Sequence, residues 1–317
     1  MKDLLFAMYM GGPDSIEAIR PFLKNLFSDR TIIDFKIGTW PQNILAGIIA
    51  KSRSKKVAPL YEKMGGSSPQ LRHMKSVLEK TAAVYNEKAD RELEIRTGMC
   101  YYHPYIEDVL DKLDGSKYDS IYVMTMYPQE SYTTSGLCFK RFDKKLESVS
   151  LKGHMKRIPF WHLNEHYNRC LAARIYRAAE KLGKPLSECH LLYSAHSLPE
   201  YTVDKGDLYT VHLDEQIRYL SELLRIDSWS LAYQSRTGPV KWLGPETSTK
   251  LDELADEGAQ NIIVVPISFV SDHIETLIEL DEEYIQNIRQ RGVNIVRTES
   301  LNDSDDFAES ICNIILS

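Results

Sequence analysis

Residues 261–284 read NIIVVPISFVSDHIETLIELDEEY, and their reading decides the fold. Ile262 to Ile267 is a continuous apolar run of strand length, and a strand without polar alternation is buried on both faces. The residues after it open a helix, expected over 275–291, in which Glu275, Glu279 and Glu283 fall at i, i+4 and i+8 on one stripe. Like charges at that spacing repel by roughly a few tenths of a kcal/mol per pair. No Lys or Arg between Ser271 and Ile288 offsets them. The helix dipole favours carboxylates only in the first turn, so it covers Asp272 and Glu275 and leaves the other two. Most acidic helix faces are merely solvated. Here His273 stands beside the carboxylates directly after a strand's C-terminal end, where open α/β sheets place their sites, and that favours a functional reading.

The same strand-then-helix alternation runs through the whole chain. Strands are expected at Leu4–Met8, Leu93–Met99, Ser120–Met126, Met155–Pro159, His190–Ala195, Trp229–Gln234, Asn261–Ile267 and Val293–Arg297. Helical patterns lie between them, near 16–27, 43–63, 70–88, 104–114, 134–147, 164–183, 209–225, 247–257 and 304–316 as well as 275–291. Asp14-Ser15 caps the first helix and Ser68-Pro69 the third. Alternation of this kind builds parallel sheets covered by helices on both faces. Eight strands suit two four-stranded sheets. The divide is expected near 128–132, giving an N-terminal lobe over 1–130, a C-terminal lobe over 131–299, and a last helix, 300–317, packing back on the first lobe. The active site is then expected in the cleft between two rigid lobes.

Composition narrows the function. At 317 residues the chain can bury sizeable cores. Its net charge of −6, with both signs interleaved, argues against a nucleic-acid binder, which needs a basic stripe. Five cysteines, Cys100, Cys138, Cys170, Cys189 and Cys312, form no CxxC pair and read as free thiols of a reducing compartment. That spacing also argues against an iron–sulfur cluster or a four-cysteine zinc site. The N-terminal apolar run ends at Gly11-Gly12-Pro13, too early for a secretory signal, and no run approaches ~20 apolar residues. The expected location is the cytoplasm.

No GxGxxG, GxxxxGK[ST] or GxSxG is present, so dinucleotide, P-loop and α/β-hydrolase chemistry have no support. His162-Leu163-Asn164-Glu165-His166 matches H-x-x-E-H, a zinc-hydrolase pattern if it lies on a helix. With only three fixed positions, the ordinary explanation is chance at a helix start. A stronger element is Ser194-Ala195-His196-Ser197-Leu198-Pro199, which puts His196 at the C-terminal end of a buried strand. A lone His is usually structural, but His196 and the His273/Glu275 pair can converge from neighbouring strands. Imidazole with carboxylate suits both proton abstraction and a first-row divalent metal. Loops at Met10–Pro13, Gly65–Pro69, Tyr127–Gln129 and Gln234–Pro239 are ordinary turns singly and together suggest a polar-rimmed pocket.

These residues resemble the ferrochelatase family, whose members insert Fe²⁺ into a porphyrin at the end of haem biosynthesis. MGGPDS (10–15), YEKMGGSSP (61–69), YPQ (127–129), SAHSLP (194–199), GDLY (206–209), QSRTGPVKWL (234–243) and FVSDHIETLIELDEEY (269–284) stand in family order. The resemblance implies a type II chelatase-like fold, two Rossmann-like lobes that each carry a four-stranded parallel sheet flanked by helices, with porphyrin between them. It implies that His196 and Glu275 are the catalytic, metal-binding pair on one face of the macrocycle, with Met10 on the other. It makes Arg53, Tyr61 and Ser68 porphyrin-binding, and Asp272, His273, Glu279 and Glu283 an acidic path for metal or protons. Porphyrin and Fe²⁺ enter as substrates, and no permanently bound cofactor is implied.

The chemistry accounts for those residue types. A free-base porphyrin loses two pyrrole N–H protons as iron enters, so a neutral base must stand over the ring, and His196 is expected to be mostly neutral near pH 7. Glu275 can strip water from iron or accept a proton, and distortion of the macrocycle exposes its lone pairs. In two respects the chain departs from the family. Cys100 stands where many members have Arg, which puts one propionate anchor in doubt, and no Cys-bearing C-terminal extension is present, so the cluster of some members is expected to be absent. Protoporphyrin IX is the expected substrate and coproporphyrin III the alternative, since four propionates would want more basic residues around the pocket. A non-catalytic porphyrin or haem binder is the remoter reading. Any membrane contact is expected to be peripheral, at the inner face, through lip residues such as Phe22, Leu26, Phe27, Ile32, Ile33 and Trp40, most of which read as core. A monomer or homodimer is expected.

Overall fold

A computed structural model describes residues 1–149, 151, 154–236 and 240–317. Eight strands carry it: β1 (Lys2–Tyr9), β2 (Glu92–Met99), β3 (Ser120–Thr125), β4 (His154–Ile158), β5 (His190–His196), β6 (Trp229–Gln234), β7 (Asn261–Pro266) and β8 (Asn294–Arg297). They form two four-stranded sheets, ordered β2-β1-β3-β4 and β6-β5-β7-β8, with every pairing parallel. The strands inside each sheet are the ones whose sequences lack polar alternation. β7 is buried at all of its positions and β1 at all but its first, whereas the edge strand β4 is mostly exposed. Burial on both faces needs helices above and below each sheet, and the intervening segments supply them.

In the first unit these are α1 (Ile16–Ser28), α2 (Thr39–Lys63), α3 (Gln70–Ala89), α4 (Ile106–Asp111) and α5 (Ser135–Leu146). In the second they are α6 (Glu165–Leu182), α7 (Glu200–Asp204), α8 (Tyr209–Leu224), α9 (Thr247–Asp256), a π-helix (Glu275–Tyr284) and α10 (Ile285–Gln290). The last helix, α11 (Asp305–Leu316), reaches beyond it, and residues 311–317 group with the first unit. Ser15 caps α1 by accepting the Ala18 N–H at 3.2 Å. Ser68 does not cap α3; its backbone N–H donates to the Pro13 carbonyl, and Pro69 occupies the cap position without a side-chain bond.

The compact units are Met1–Trp161 with Ile311–Ser317, and His162–Ser310. The divide therefore lies about thirty residues after the expected 128–132. A break there would cut the β3–α5–β4 crossover, because β4 pairs along β3 from His154 opposite Ser120 to Ile158 opposite Met124. A second departure concerns 275–291. Its first ten residues form a π-helix, closed by the Ile285 N–H donating to Leu280 O five residues back, and only Ile285–Gln290 is α-helical.

Of the lip residues, Phe27 is buried, and Phe22, Leu26 and Ile32 pack on the first unit's core. Trp40 is exposed, as are Ile44 and Ile48 one and two turns along the same face of α2. Among the described residues no helix is long and apolar enough to cross a membrane.

Candidate functional site

The strand order 6-5-7-8 reverses direction between β5 and β7. Open α/β sheets leave a crevice at such a switch point, outside the carboxyl ends of the strands. His196 is the last residue of β5, and the loop leaving β7 leads to Glu275. Their side chains meet there, His196 Nδ1 lying 2.9 Å from Glu275 Oε2.

Backbone contacts fix both partners. The His196 N–H donates to Ser268 Oγ at 2.9 Å, and the Tyr209 hydroxyl donates to the His196 carbonyl at 3.1 Å. Gln234, at the end of β6, donates to the Glu275 carbonyl at 3.3 Å and accepts from Ser194. The Phe269 ring stands edge-on to the His196 ring, 6.2 Å between centroids, and lies 4.4 Å from that of His273. His273 donates Nδ1–H to the Ser271 carbonyl, which turns its Nε2 toward Glu275 Oε2 at 3.8 Å.

Electrostatics couple His196 and Glu275. Burial penalises the Glu275 carboxylate, but the His196 and His273 rings outweigh it and hold its pKa well below the usual 4.5. Burial likewise opposes charge on His196, and the carboxylates of Glu275 and Glu279 overcome it, raising its pKa above 6.5. His196 is therefore more protonated near neutrality than its sequence setting suggests. Because an ionised carboxylate can only accept, the His196 proton sits on Nδ1, and Nε2 is left as the nitrogen that can take another.

The rest of the acidic stripe divides. Glu279 accepts from the Ser235 N–H and hydroxyl, at 2.9 and 2.5 Å, and from the Tyr284 hydroxyl at 2.7 Å. Glu283 is exposed. Asp272 is turned elsewhere: it accepts from Ser300, Asn302 and Thr276 and lies 3.1 Å from Arg297. Arg297, nearly buried on β8, also binds Asp281 bidentately. The helix thus has a counter-ion, delivered by strand pairing rather than by its own sequence. Arg297→Met leaves two carboxylates facing an apolar chain, and urea unfolding is expected to show a loss of about 3 kcal/mol. A change under about 1 kcal/mol would contradict that role.

Met10, Arg53, Tyr61 and Ser68 belong to the first unit. Met10 follows β1 at that sheet's own switch point, its N–H donating to the Tyr127 hydroxyl beyond β3 at 3.0 Å. Gly11 has φ +90°, and a Cβ there would lie 2.9 Å from Met99 Sδ, so the loop requires glycine. Ser68 is held against this loop through Pro13, Tyr61 is buried on α2, and the Arg53 guanidinium lies 5.7 Å from the Phe27 ring centre. Cys100 is buried with its sulfur 3.5 Å from Cys138 Sγ. It lines a cleft of about 480 Å³ with Asp29, Tyr101, Glu107, Asp108 and Arg141. Arg141 is bound bidentately to Glu107 at 2.7 and 2.8 Å. Thr237, Gly238 and Pro239 of the expected pocket loop lie outside the described residues.

The H-x-x-E-H residues do not converge. His162 precedes α6 instead of lying on it, Glu165 pairs with Arg169 at 2.7 Å, and His166 is exposed. Sequence reasoning gives no individual role to Ser268, Phe269, Tyr209 or Arg297 and places Gln234 only in a pocket loop. Position just after β7 is the signal for Ser268 and Phe269.

Comparison with known proteins identifies the family and the fold. The family model described as Ferrochelatase matches residues 3–317. The ferrochelatase of Geotalea uraniireducens is 35% identical over 316 residues, 99% of this chain and 97% of that protein. That of Aquifex aeolicus is 35% identical over 318 residues, 99% of each. Among solved structures, SirB from Bacillus subtilis with Fe³⁺ aligns with a TM-score of 0.57 at 11% identity, over 99% of this chain and 94% of that one. CbiX, the terminal enzyme of siroheme biosynthesis in denitrifying bacteria, gives 0.51 at 12%, over 100% and 98%. At such identities the structural likeness shows the type II chelatase fold.

Proposed function

Since the chain belongs to the ferrochelatase family, metal-chelatase lyases of haem biosynthesis, we propose that it inserts Fe²⁺ into protoporphyrin IX, releasing two protons. The observation that carries this reading is the 2.9 Å contact between His196 and Glu275 at the β5/β7 switch point. His196 Nε2 takes a pyrrole proton, and Glu275 holds Nδ1–H, which fixes the ring and raises its basicity. Glu275 itself, with its pKa far below neutrality, stays ionised and acts on the metal, replacing water ligands of the arriving iron rather than accepting a proton. Glu279 and Glu283 carry metal or protons between this centre and solvent. Asp272 we assign to the scaffold, because its oxygens face Arg297, Ser300 and Asn302. Met10, Arg53, Tyr61 and Ser68 we assign to holding the macrocycle, as the family resemblance implies. Any membrane contact is peripheral, through the exposed Trp40, Ile44 and Ile48.

The choice of porphyrin follows from charge. The cleft beside Cys100 offers Asp29, Glu107 and Asp108 against one cation, and that cation is already paired. Two propionates suit such a surface better than four. Anaerobic incubation with Fe²⁺ and each porphyrin, followed through the Soret band, is expected to show a higher kcat/KM for protoporphyrin IX. A higher value for coproporphyrin III would reverse the assignment.

A further inference from the structure

His162, freed from the H-x-x-E-H reading, has other neighbours. His212 and Glu215 lie three residues apart on α8 and so share a face. His162 enters against that face from the segment ahead of α6. Its Nε2 is 2.9 Å from Glu215 Oε2, and its ring stacks on that of His212 with centroids 4.0 Å apart and planes 16° from parallel. Both imidazoles are more than nine-tenths buried, while the Glu215 side chain is about half exposed. One ligand atom from each residue lies within 4.8 Å of the others.

We propose that His162, His212 and Glu215 form a second divalent-metal site, of the Zn²⁺, Co²⁺ or Fe²⁺ class, separate from the His196–Glu275 pair. Two imidazoles and one carboxylate are the ligand types these ions take, and no cysteine is among them to select a softer one. Burial favours the neutral rings that a metal needs: it lowers the His162 pKa against the pull of Glu215. Two protonated rings stacked at this distance would repel each other.

Coordination asks for a small rearrangement. Metal–ligand bonds of about 2.0–2.2 Å bring donors to roughly 3–3.5 Å from one another. Imidazole lone pairs lie in the ring plane, so one stacked ring turns about its Cβ–Cγ bond to aim at a common point. Glu215 closes the site from the solvent side, where its carboxylate is free to swing, and the remaining coordination position falls to water. One carboxylate satisfying a buried ring accounts for the 2.9 Å contact; what points to a metal is the convergence of three donor atoms within 4.8 Å of one another.

The test is Zn²⁺ stoichiometry at neutral pH, by competition with a chromophoric chelator, on wild type and on Glu215→Gln, His212→Ala and His196→Ala. Co²⁺ absorption in the visible d–d region on the same proteins serves as the ligand-field readout. Glu215→Gln alters a half-exposed side chain, so it decides the matter even if His212→Ala fails to fold. The expected result is loss of one equivalent of Zn²⁺ and of its Co²⁺ band in Glu215→Gln and His212→Ala, with that equivalent retained in His196→Ala. This outcome stands whether or not the His196 centre itself takes Zn²⁺, so it is separable from the chelatase reading. Unchanged stoichiometry and spectrum in Glu215→Gln overturn the proposal, as does a wild type whose bound Zn²⁺ is lost entirely in His196→Ala.

Discussion

His196→Ala is expected to lower kcat for iron insertion by roughly 10²- to 10⁴-fold, the range for losing a positioned general base, while porphyrin binding followed by fluorescence quenching stays unchanged. The reason is geometric. His196 is anchored through its backbone, by Ser268 Oγ on its N–H and Tyr209 on its carbonyl, so truncating the side chain leaves the end of β5 in place. The candidate porphyrin contacts lie in the first unit, apart from this residue in the chain. Loss of turnover without loss of binding is what removal of a base produces. A parallel loss of both would instead make His196 part of the binding surface.

Glu275→Gln is the second large effect, and its direction with pH is the sharper test. In the wild type burial opposes charge on His196, and Glu275 overcomes it and lifts the pKa above 6.5. The acid limb of kcat/KM is therefore expected to lie above pH 6.5, activity rising as the ring deprotonates. The amide removes the nearest negative charge that favours the protonated ring, and the burial that lowers the pKa remains. The limb is then expected to move to lower pH, while kcat falls by on the order of 10²-fold because iron loses a charged ligand. A variant whose limb stays where the wild type has it would show that Glu275 does not govern the His196 proton.

Much of this was readable from the chain because burial on both faces leaves a plain trace. β1, β5 and β7 are continuous apolar runs, and the polar or charged residues that break them mark sites at their ends. His196 stands at such an end, Glu275 is marked by the acidic spacing of 275, 279 and 283, and the structure brings the two side chains to 2.9 Å. What stayed hidden depends on contacts remote in sequence. Arg297 reaches Asp272 and Asp281 only because β8 pairs beside β7, so the helix looked uncompensated when read alone. The π-register of Glu275–Tyr284 carries no Gly or Pro to announce it, and apolar spacing does not separate it from an α-helix. The divide between units was misplaced because strand length and flanking turns say nothing about which sheet β4 joins. The partners of His162 come from α8, about fifty residues on, and no local pattern around residues 162–166 points to them.

The most direct measurement is anaerobic single-turnover incubation of the protein with Fe²⁺ and protoporphyrin IX, with the Soret band and an indicator of released protons recorded together. Wild type is expected to convert the free-base spectrum to that of the haem with two protons released per iron, and His196→Ala to leave both signals flat on the same timescale. No conversion by wild type with either porphyrin, or equal rates for wild type and His196→Ala, would contradict an insertion centre at His196 and Glu275.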